Sequence, residues 1–402
     1  MEKENQSQSS NQPINQNKII KKTKPLSSYE KPTLKGLQNI GKTSYINCIL
    51  QILVQTEELT NYFLDKDLSS KKILNNNIAI KNKDEAQISP LYLELVQQLW
   101  DKNNYKGNYT PEKFVETLNK MAPFFELGHE GDPKDFLKFI LGQLHIELKK
   151  IDNIKNNNNN NNFNDQQYKN KNFKFNNFIN EISKERSIIS DIFFRIEESN
   201  FNCNFCKKNY LSQGKHFPIS YNYSSLDFLI FPLENTNKFK FENIKKNNMN
   251  LNQINSVTII DCFNFIQKTE LLTGSNMCFC GICKQNRNFN YTTKIASSAK
   301  VLILVLSRGR NHACNVKFNF TEIIDITEFV SLKKGKLIYK LYGVVGYLRD
   351  DDNKFKFFSF CKSPIDNKWY RYDDSVVTDV KNFQKEIIDF ENPYILFYKK
   401  DS

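Results

Sequence analysis

Histidine is scarce in this chain. Only His129, His145, His216 and His312 occur among 402 residues, so nothing after residue 312 can supply an imidazole as a general base. Long apolar runs are missing too, since no stretch approaches the ~20 residues that a helix needs to cross a bilayer. The opening residues, MEKENQSQSSNQ, lack the apolar core of a signal peptide, and a soluble protein of the cytoplasm or nucleus is expected. No internal repeat is visible, so a solenoid is not expected. Cysteine occurs nine times, an odd number. In an intracellular chain that argues for metal ligation and against a disulfide framework.

Large apolar side chains are plentiful. With 33 Phe and 18 Tyr, and 39% hydrophobic residues overall, most of the chain must fold. Its length exceeds the ~250–300 residues at which one core stops growing, which implies a large domain with sub-domains or two ordinary ones. The net charge of +13 raises the question of a nucleic-acid or membrane-surface partner. The lysines, however, are interleaved with asparagines (NKIIKKTK, KNKNFKFNN, NIKKNNMN) and form no periodic basic face. Compositional bias explains them, and neither nucleic acid nor membrane is expected as a partner.

Residues 1–31 are dominated by Gln, Asn, Ser and Lys, too polar to offset the entropy of ordering, and read as a disordered tail. From Ser44 the spacing of Ile46, Ile49, Leu50 and Leu53 predicts a buried amphipathic helix. SPLYLELVQQLW and TPEKFVETLNKM predict two more, with Ser89 and Thr110 as N-caps before a proline. DPKDFLKFILGQLHIEL predicts another, with Phe136, Phe139, Ile140 and Leu144 on one face. An Asn-rich run over residues 152–177 has no means of packing and reads as an exposed insertion. Beyond it the pattern turns to strands: FFRIEE, FPISYNY, FLIFPL, VLILVL, KLIYKLYGVVGYL, KFKFFSFCK, KWYRYDD and PYILFYKK. Helices followed by strands indicate an α+β fold.

Four separated segments carry chemistry. GLQNIGKTSYINCILQ (36–51) resembles the cysteine box of the ubiquitin-specific proteases, G-L-x-N-x-G-x-T-C-Y-x-N. GDPKDFLKFILGQLH (131–145) resembles their Q-D-A-x-E-F-L helix. NCNFCKKNY and MCFCGICKQ resemble the zinc ribbon at the tip of the family's fingers. YKLYGVVGYLRDDDNKFKFFSFCKSPIDNKWYRYDDSVV (339–377) resembles the histidine box, Y-x-L-x-x-V…G-H-Y-x-A-Y…W-Y-x-F-D-D-S-x-V.

The resemblance implies a papain-like hand of α+β class. A USP-type domain would span 32–400, with a helical thumb over 32–185 and a β-rich palm and fingers over 186–400. It also assigns the site. The nucleophile position holds Ser44, the histidine position Lys356 and the third triad position Asp373, with Asn39 as the oxyanion-stabilising residue. Asp132 and Asp135 would face the incoming ubiquitin tail, and Cys203, Cys206, Cys280 and Cys283 would bind structural Zn, a thiolate set suited to tetrahedral zinc. Cys278 reads as an ordinary strand residue.

A thiol at a helix N-terminus is activated by the helix dipole and unpaired N–H groups. A serine there depends on a nearby base. Lysine serves as a base only when its ammonium is desolvated or crowded by cations, whereas Asp373 would hold Lys356 in an ion pair. Cys48, one turn beyond Ser44, reads as a core thiol, and His145 as a structural helix residue. The expected function is a pseudo-deubiquitinase that binds ubiquitin or ubiquitinated proteins. The alternatives are an active deubiquitinase with unconventional residues and an assembly scaffold that no longer binds ubiquitin. The bulky Phe355, Phe357 and Phe358 would narrow the path of the ubiquitin C-terminus.

Overall fold

The computed structural model describes residues 25–65, 87–125, 128–149, 178–180, 182, 185–207, 219–224, 228–246, 256–309, 312–332, 335–349 and 354–401. Of the disordered tail expected over 1–31, residues 1–24 lie outside the described residues, but Pro25–Ser28 forms a 3-10 turn with Leu26 buried and its N–H bonded to Asn61, because that one apolar side chain reaches the core; the Asn-rich insertion lies outside the described residues. Five helices lead the chain: α1 (Ser44–Gln55), α2 (Glu57–Leu64), α3 (Ser89–Leu99), α4 (Glu112–Met121) and α5 (Pro133–Glu147). A short α6 (Ile188–Phe193) precedes the β-rich half. The α+β arrangement expected from the periodicity is the one observed.

Helix α1 is buried on all sides. Its apolar residues join the larger of two main core clusters, yet Asn47, Gln51 and Gln55 recur at helical i, i+4 spacing along one stripe. Each is tied off. Asn47 donates to Leu37 O and Asp374, Gln51 to Lys35 O at 2.9 Å, and Gln55 to the Tyr372 hydroxyl at 3.0 Å. A buried amide is tolerated only with partners, so this stripe fixes α1 against strand Leu34–Leu37 and against the C-terminal sheet.

That sheet runs in the order Val376–Asp379, Trp369–Asp373, Phe355–Lys362, Ile338–Arg349, Pro393–Lys400, Val301–Ser307, Leu229–Pro232. Strand Ile338–Arg349 pairs antiparallel with Phe355–Lys362, setting Leu348 opposite Lys356. One sheet face packs on α1 and the other on a second core around Phe231, Phe263, Leu304 and Tyr339. A separate sheet orders Ile219–Ser224, Arg195–Cys203, Phe289–Ser297 and Glu270–Leu272, and a hairpin of Cys278–Cys280 with Gln285–Arg287 extends beyond it.

Several local expectations shift. Helix α3 begins at Ser89 itself, and its leading N–H groups are capped by the Glu147 carboxylate, which accepts from Ile88 N at 3.0 Å and Ser89 N at 2.7 Å. The N-cap of α4 is Pro111, one residue beyond Thr110. On α5, Phe136, Ile140 and Leu144 are fully buried while Phe139 is only partly so. Two helices in the β-rich half were not anticipated: α7 (Leu233–Lys246) and α8 (Ile259–Ile266). The latter starts with a capping box between Thr258 and Asp261.

Candidate functional site

Ser44 is the first residue of α1, following a tight loop in which Gly41 and Lys42 adopt positive φ of 80° and 66°. Asn39 shapes this loop: its side-chain oxygen accepts from Thr43 N at 3.0 Å. Its amide donates to Asp374 Oδ2 at 2.9 Å, while Asn47, from within α1, donates to Asp374 Oδ1 at 2.9 Å. Asp374 therefore joins the loop, the helix and the last sheet. Burial pushes its carboxyl up from the ordinary range, and the two amide hydrogen bonds oppose that shift.

Asp374 and Asn47 were given no role in the sequence. The second Asp of YRYDDS and the Asn of SYIN were the available signals, but which of two adjacent aspartates turns inward depends on backbone geometry. Asp374 has φ of 50°, a left-handed conformation that sets its carboxylate toward α1 while Asp373 stays on the strand.

Lys356 Nζ lies 2.7 Å from Asp373 Oδ1, with its side chain 53% exposed. Arg371 holds the other Asp373 oxygen at 3.0 Å. The bonds of Asp374 to Asn39 and Asn47 bring the end of strand Trp369–Asp373 to the start of α1, and Lys356 is held on that strand by Asp373. Cys48 does not open onto this place. It is 2% exposed, its thiol contacts Tyr45 O at 3.3 Å, and burial pushes its pKa well above normal. His145 is remote, about 20 Å along α5 from Asp132 at ~1.5 Å per residue. Its Nδ1 pairs with Ser187 Oγ at 2.7 Å, and burial pushes it down to about 4.

Asp132 caps α5, accepting from Lys134 N at 2.8 Å, and its two oxygens receive the Tyr394 hydroxyl at 2.8 Å. Lys134 lies 3.8 Å from Asp132 and 3.3 Å from Asp135, so the acidic pair carries its own counter-ion. Beside it runs an open cleft of about 490 Å³ lined by Gly131, Asp132, Arg308, His312, Phe355, Phe357 and Tyr394 among others. His312 packs against the rings of Tyr394, Tyr347 and Phe355 at centroid separations of 4.7, 4.8 and 5.0 Å. Sequence spacing gave no sign of it, because the imidazole arrives on a loop far from either box. Phe355 and Phe357 face the cleft, but Phe358 does not. Strand alternation sends it to the opposite core, against Phe390 and beneath Arg371.

At the far end of the fingers, Cys203, Cys206, Cys280 and Cys283 offer sulfur atoms all within 4.8 Å of one another, with Cys206 and Cys280 at 3.7 Å. Tetrahedral zinc with ~2.3 Å bonds sets sulfurs about 3.8 Å apart, so the set fits a closed metal site. Each C-x-x-C turn closes in the same way. Lys207 N bonds Cys203 O at 2.9 Å, Lys284 N bonds Cys280 O at 2.8 Å, and both lysines take positive φ of 56° and 55°. Cys278 lies two residues before Cys280 on the same strand, outside the cluster.

Comparison with known proteins gives this geometry a context. The ubiquitin carboxyl-terminal hydrolase of Bos taurus designated 2 is 24% identical over 376 residues, 91% of this chain and 55% of that protein. Drosophila melanogaster Usp2 is 22% identical over 371 residues, 91% of this chain and 34% of that protein. The chain therefore spans about half the length, or less, of these relatives. Among solved structures, the SAGA Ubp8/Sgf11/Sus1/Sgf73 DUB module bound to ubiquitin aldehyde superposes with a TM-score of 0.62 at 19% identity, covering 93% of this chain and 71% of that one. The corresponding module bound to monoubiquitin gives 0.63 at 18%, covering 93% and 70%. These likenesses share the fold. Residues 35–398, from strand Leu34–Leu37 to the last strand, match the model of the ubiquitin carboxyl-terminal hydrolases, and the chain belongs to that family.

Proposed function

We propose that this protein is a non-catalytic ubiquitin-binding member of its family, acting in the cytoplasm or nucleus, with Zn held by the four fingertip cysteines. The observation that carries the reading is the Lys356–Asp373 ion pair at 2.7 Å. An ammonium held against a carboxylate has no lone pair with which to take a proton, so Ser44 has no base beside it. His312 is not placed to replace it, since its imidazole packs against Tyr347, Phe355 and Tyr394 in the cleft, and the one thiol on α1, Cys48, is buried. In this reading Ser44, Lys356, Asp373 and Asn39 are the remnants of the triad and oxyanion positions, and Asp132 and Asp135 contribute to ubiquitin contact. Solved neighbours of the same fold were captured with ubiquitin aldehyde and with monoubiquitin, which supports ubiquitin as the partner. The fold elements that would grip it do not depend on the lost chemistry.

The test is hydrolysis of a fluorogenic ubiquitin C-terminal amide by the purified chain beside a Ser44→Cys/Lys356→His double variant, with ubiquitin affinity measured on both. The expected result is an inert wild type, measurable turnover in the double variant and ubiquitin binding by each. Cleavage by the wild type, or no binding at high micromolar ubiquitin, overturns the proposal.

A further inference from the structure

We infer that the fingertip is a peripheral membrane contact, in which apolar side chains of the two C-x-x-C turns and their hairpin enter the headgroup region of an anionic bilayer while the surrounding cations meet its charge. Nothing in this depends on ubiquitin binding. Four of the twelve exposed large apolar side chains among the described residues, Phe205, Met277, Phe279 and Ile282, lie in this one small element. Singly, exposed apolar residues are ordinary; gathered, they mark an interaction site. The gathering follows from the cysteines. Phe205 precedes Cys206 and Ile282 precedes Cys283, the same place in each C-x-x-C turn, and the sulfurs of the two turns lie within 4.8 Å of one another.

The exposed side chains do not share one face. Along strand Cys278–Cys280 the thiol of Cys280 turns into the sulfur cluster, so Phe279, 49% exposed, stands on the opposite face. Arg287 is paired directly with Cys278, on the cluster side, and its guanidinium lies 4.2 Å from the centre of the Phe205 ring, which is 69% exposed. Apolar rings therefore stand open on both sides of the hairpin, with Ile282 in the turn at its end. A protein surface laid against the tip would cover one side. Lipid closes around a shallowly inserted element from every side and needs no matching groove.

Charge supplies the second observation. The tip carries Lys207, Lys284 and Arg287, and residues 203–207 and 277–287 hold no acid. Read along the chain these cations form no basic face; the fold gathers them, since Lys207 and Lys284 each follow the last cysteine of their turn. An all-cationic tip repels a copy of itself. It also repels residues 1–24, which hold five lysines against two glutamates. Anionic lipid is complementary in both respects, with apolar side chains at the acyl boundary and Lys and Arg at the headgroups. The hairpin is only two strands wide, so its outer edges have no strand partner among the described residues. A bilayer core would not tolerate those open N–H and C=O groups, and penetration stops at the headgroup level.

The experiment measures binding of the full chain, purified with zinc, to vesicles of phosphatidylcholine alone and of phosphatidylcholine with about 30% phosphatidylserine. Wild type is compared with Phe205→Ser/Phe279→Ser and with Lys207→Gln/Lys284→Gln. Phe279→Trp is added to vesicles brominated in the acyl chains, where the native Trp100 and Trp369, both buried, stay out of reach. Wild type should bind the anionic vesicles at least about tenfold tighter than the neutral ones, and each double variant should lose about tenfold on the anionic ones. The new indole should be quenched by bromine. If the serine pair unfolds the fingers, this quenching decides alone. Equal binding to both vesicles, binding that both double variants leave unchanged, or an unquenched indole overturns the inference and moves the attraction to lysines elsewhere in the chain. Absence of vesicle binding overturns it as well: a concentration-dependent dimer dissolved by Phe205→Ser/Phe279→Ser would then name a second copy as the occupant, and a monomer an acidic protein.

Discussion

The fingertip cysteines and the end of α1 set the same problem, since each requires segments far apart in the chain to present specific groups within a few ångströms. The two have fared differently. At the fingertip all four sulfurs are present, within 4.8 Å of one another. At α1 the loop, the helix and the Asp374 junction are built, while under the function proposed above the two positions that would move a proton hold a hydroxyl and an ammonium. The difference separates what holds the fold from what performs the reaction. A metal site contributes directly to folding, so loss of one ligand would be felt in stability. A nucleophile and its base contribute little to stability, so under the function proposed above the framework would survive their replacement.

The largest effect that would break this contrast lies in the fingers. Structural zinc in isolated ribbons is worth on the order of 10–16 kcal/mol of apparent binding energy, which is also folding energy. Cys206→Ser, or removal of metal by a strong chelator, should abolish hydrogen-exchange protection in Arg195–Cys203 and Phe289–Ser297 while α1 stays protected. Retained protection in those strands would mean that the cysteines are ordinary core thiols.

Next in size is the junction at α1. Asp374→Ala removes a 2.9 Å acceptor from each of Asn39 and Asn47, leaving Asn47 only its longer bonds to Leu37 O and Gln38 O, and should cost about 2–4 kcal/mol in denaturant unfolding. Asp374→Asn keeps the shape and one acceptor and should cost roughly half as much. If Asp374→Ala were neutral, the framework around Ser44 would not be the structural element described here. Lys356→Met should change stability by less than about 0.5 kcal/mol, because a pair whose cation is 53% exposed gains little. A loss of several kcal/mol there would show the ion pair to be a structural element of the fold.

How much of this was legible in the sequence follows the same division. Helix α1, the strand Val301–Ser307 and the two C-x-x-C pairs could be read because their periods and spacings are local. Helix α8 was missed although its signal, T-x-x-D at Thr258–Asp261, is a local capping box; strand-like composition on either side outweighed it. The Glu147 cap on α3 could not be read at all, since it joins residues 58 apart. Asp374 was overlooked for a related reason: in a run of two aspartates the direction of each side chain depends on one positive φ. His312 reaches the cleft only because loop and strands pack together.

The smallest effect tests the fingertip from the opposite side. Lys207 and Lys284 each close a C-x-x-C turn with φ near +55°, a conformation that costs a side-chain-bearing residue roughly 1–2 kcal/mol and glycine almost nothing. Against this, glycine adds freedom to the unfolded chain, worth about 0.4–1 kcal/mol. Lys207→Gly and Lys284→Gly should therefore each stabilise the metal-bound fingers by about 0.5 kcal/mol, read as a higher chelator concentration at half-removal of metal. Both N–H donors to Cys203 O and Cys280 O survive the change, so the turns themselves are preserved. If the variants release metal more easily, the lysine side chains contribute to the ribbon through contacts of their own. The fingertip would then depend on more than its four sulfurs.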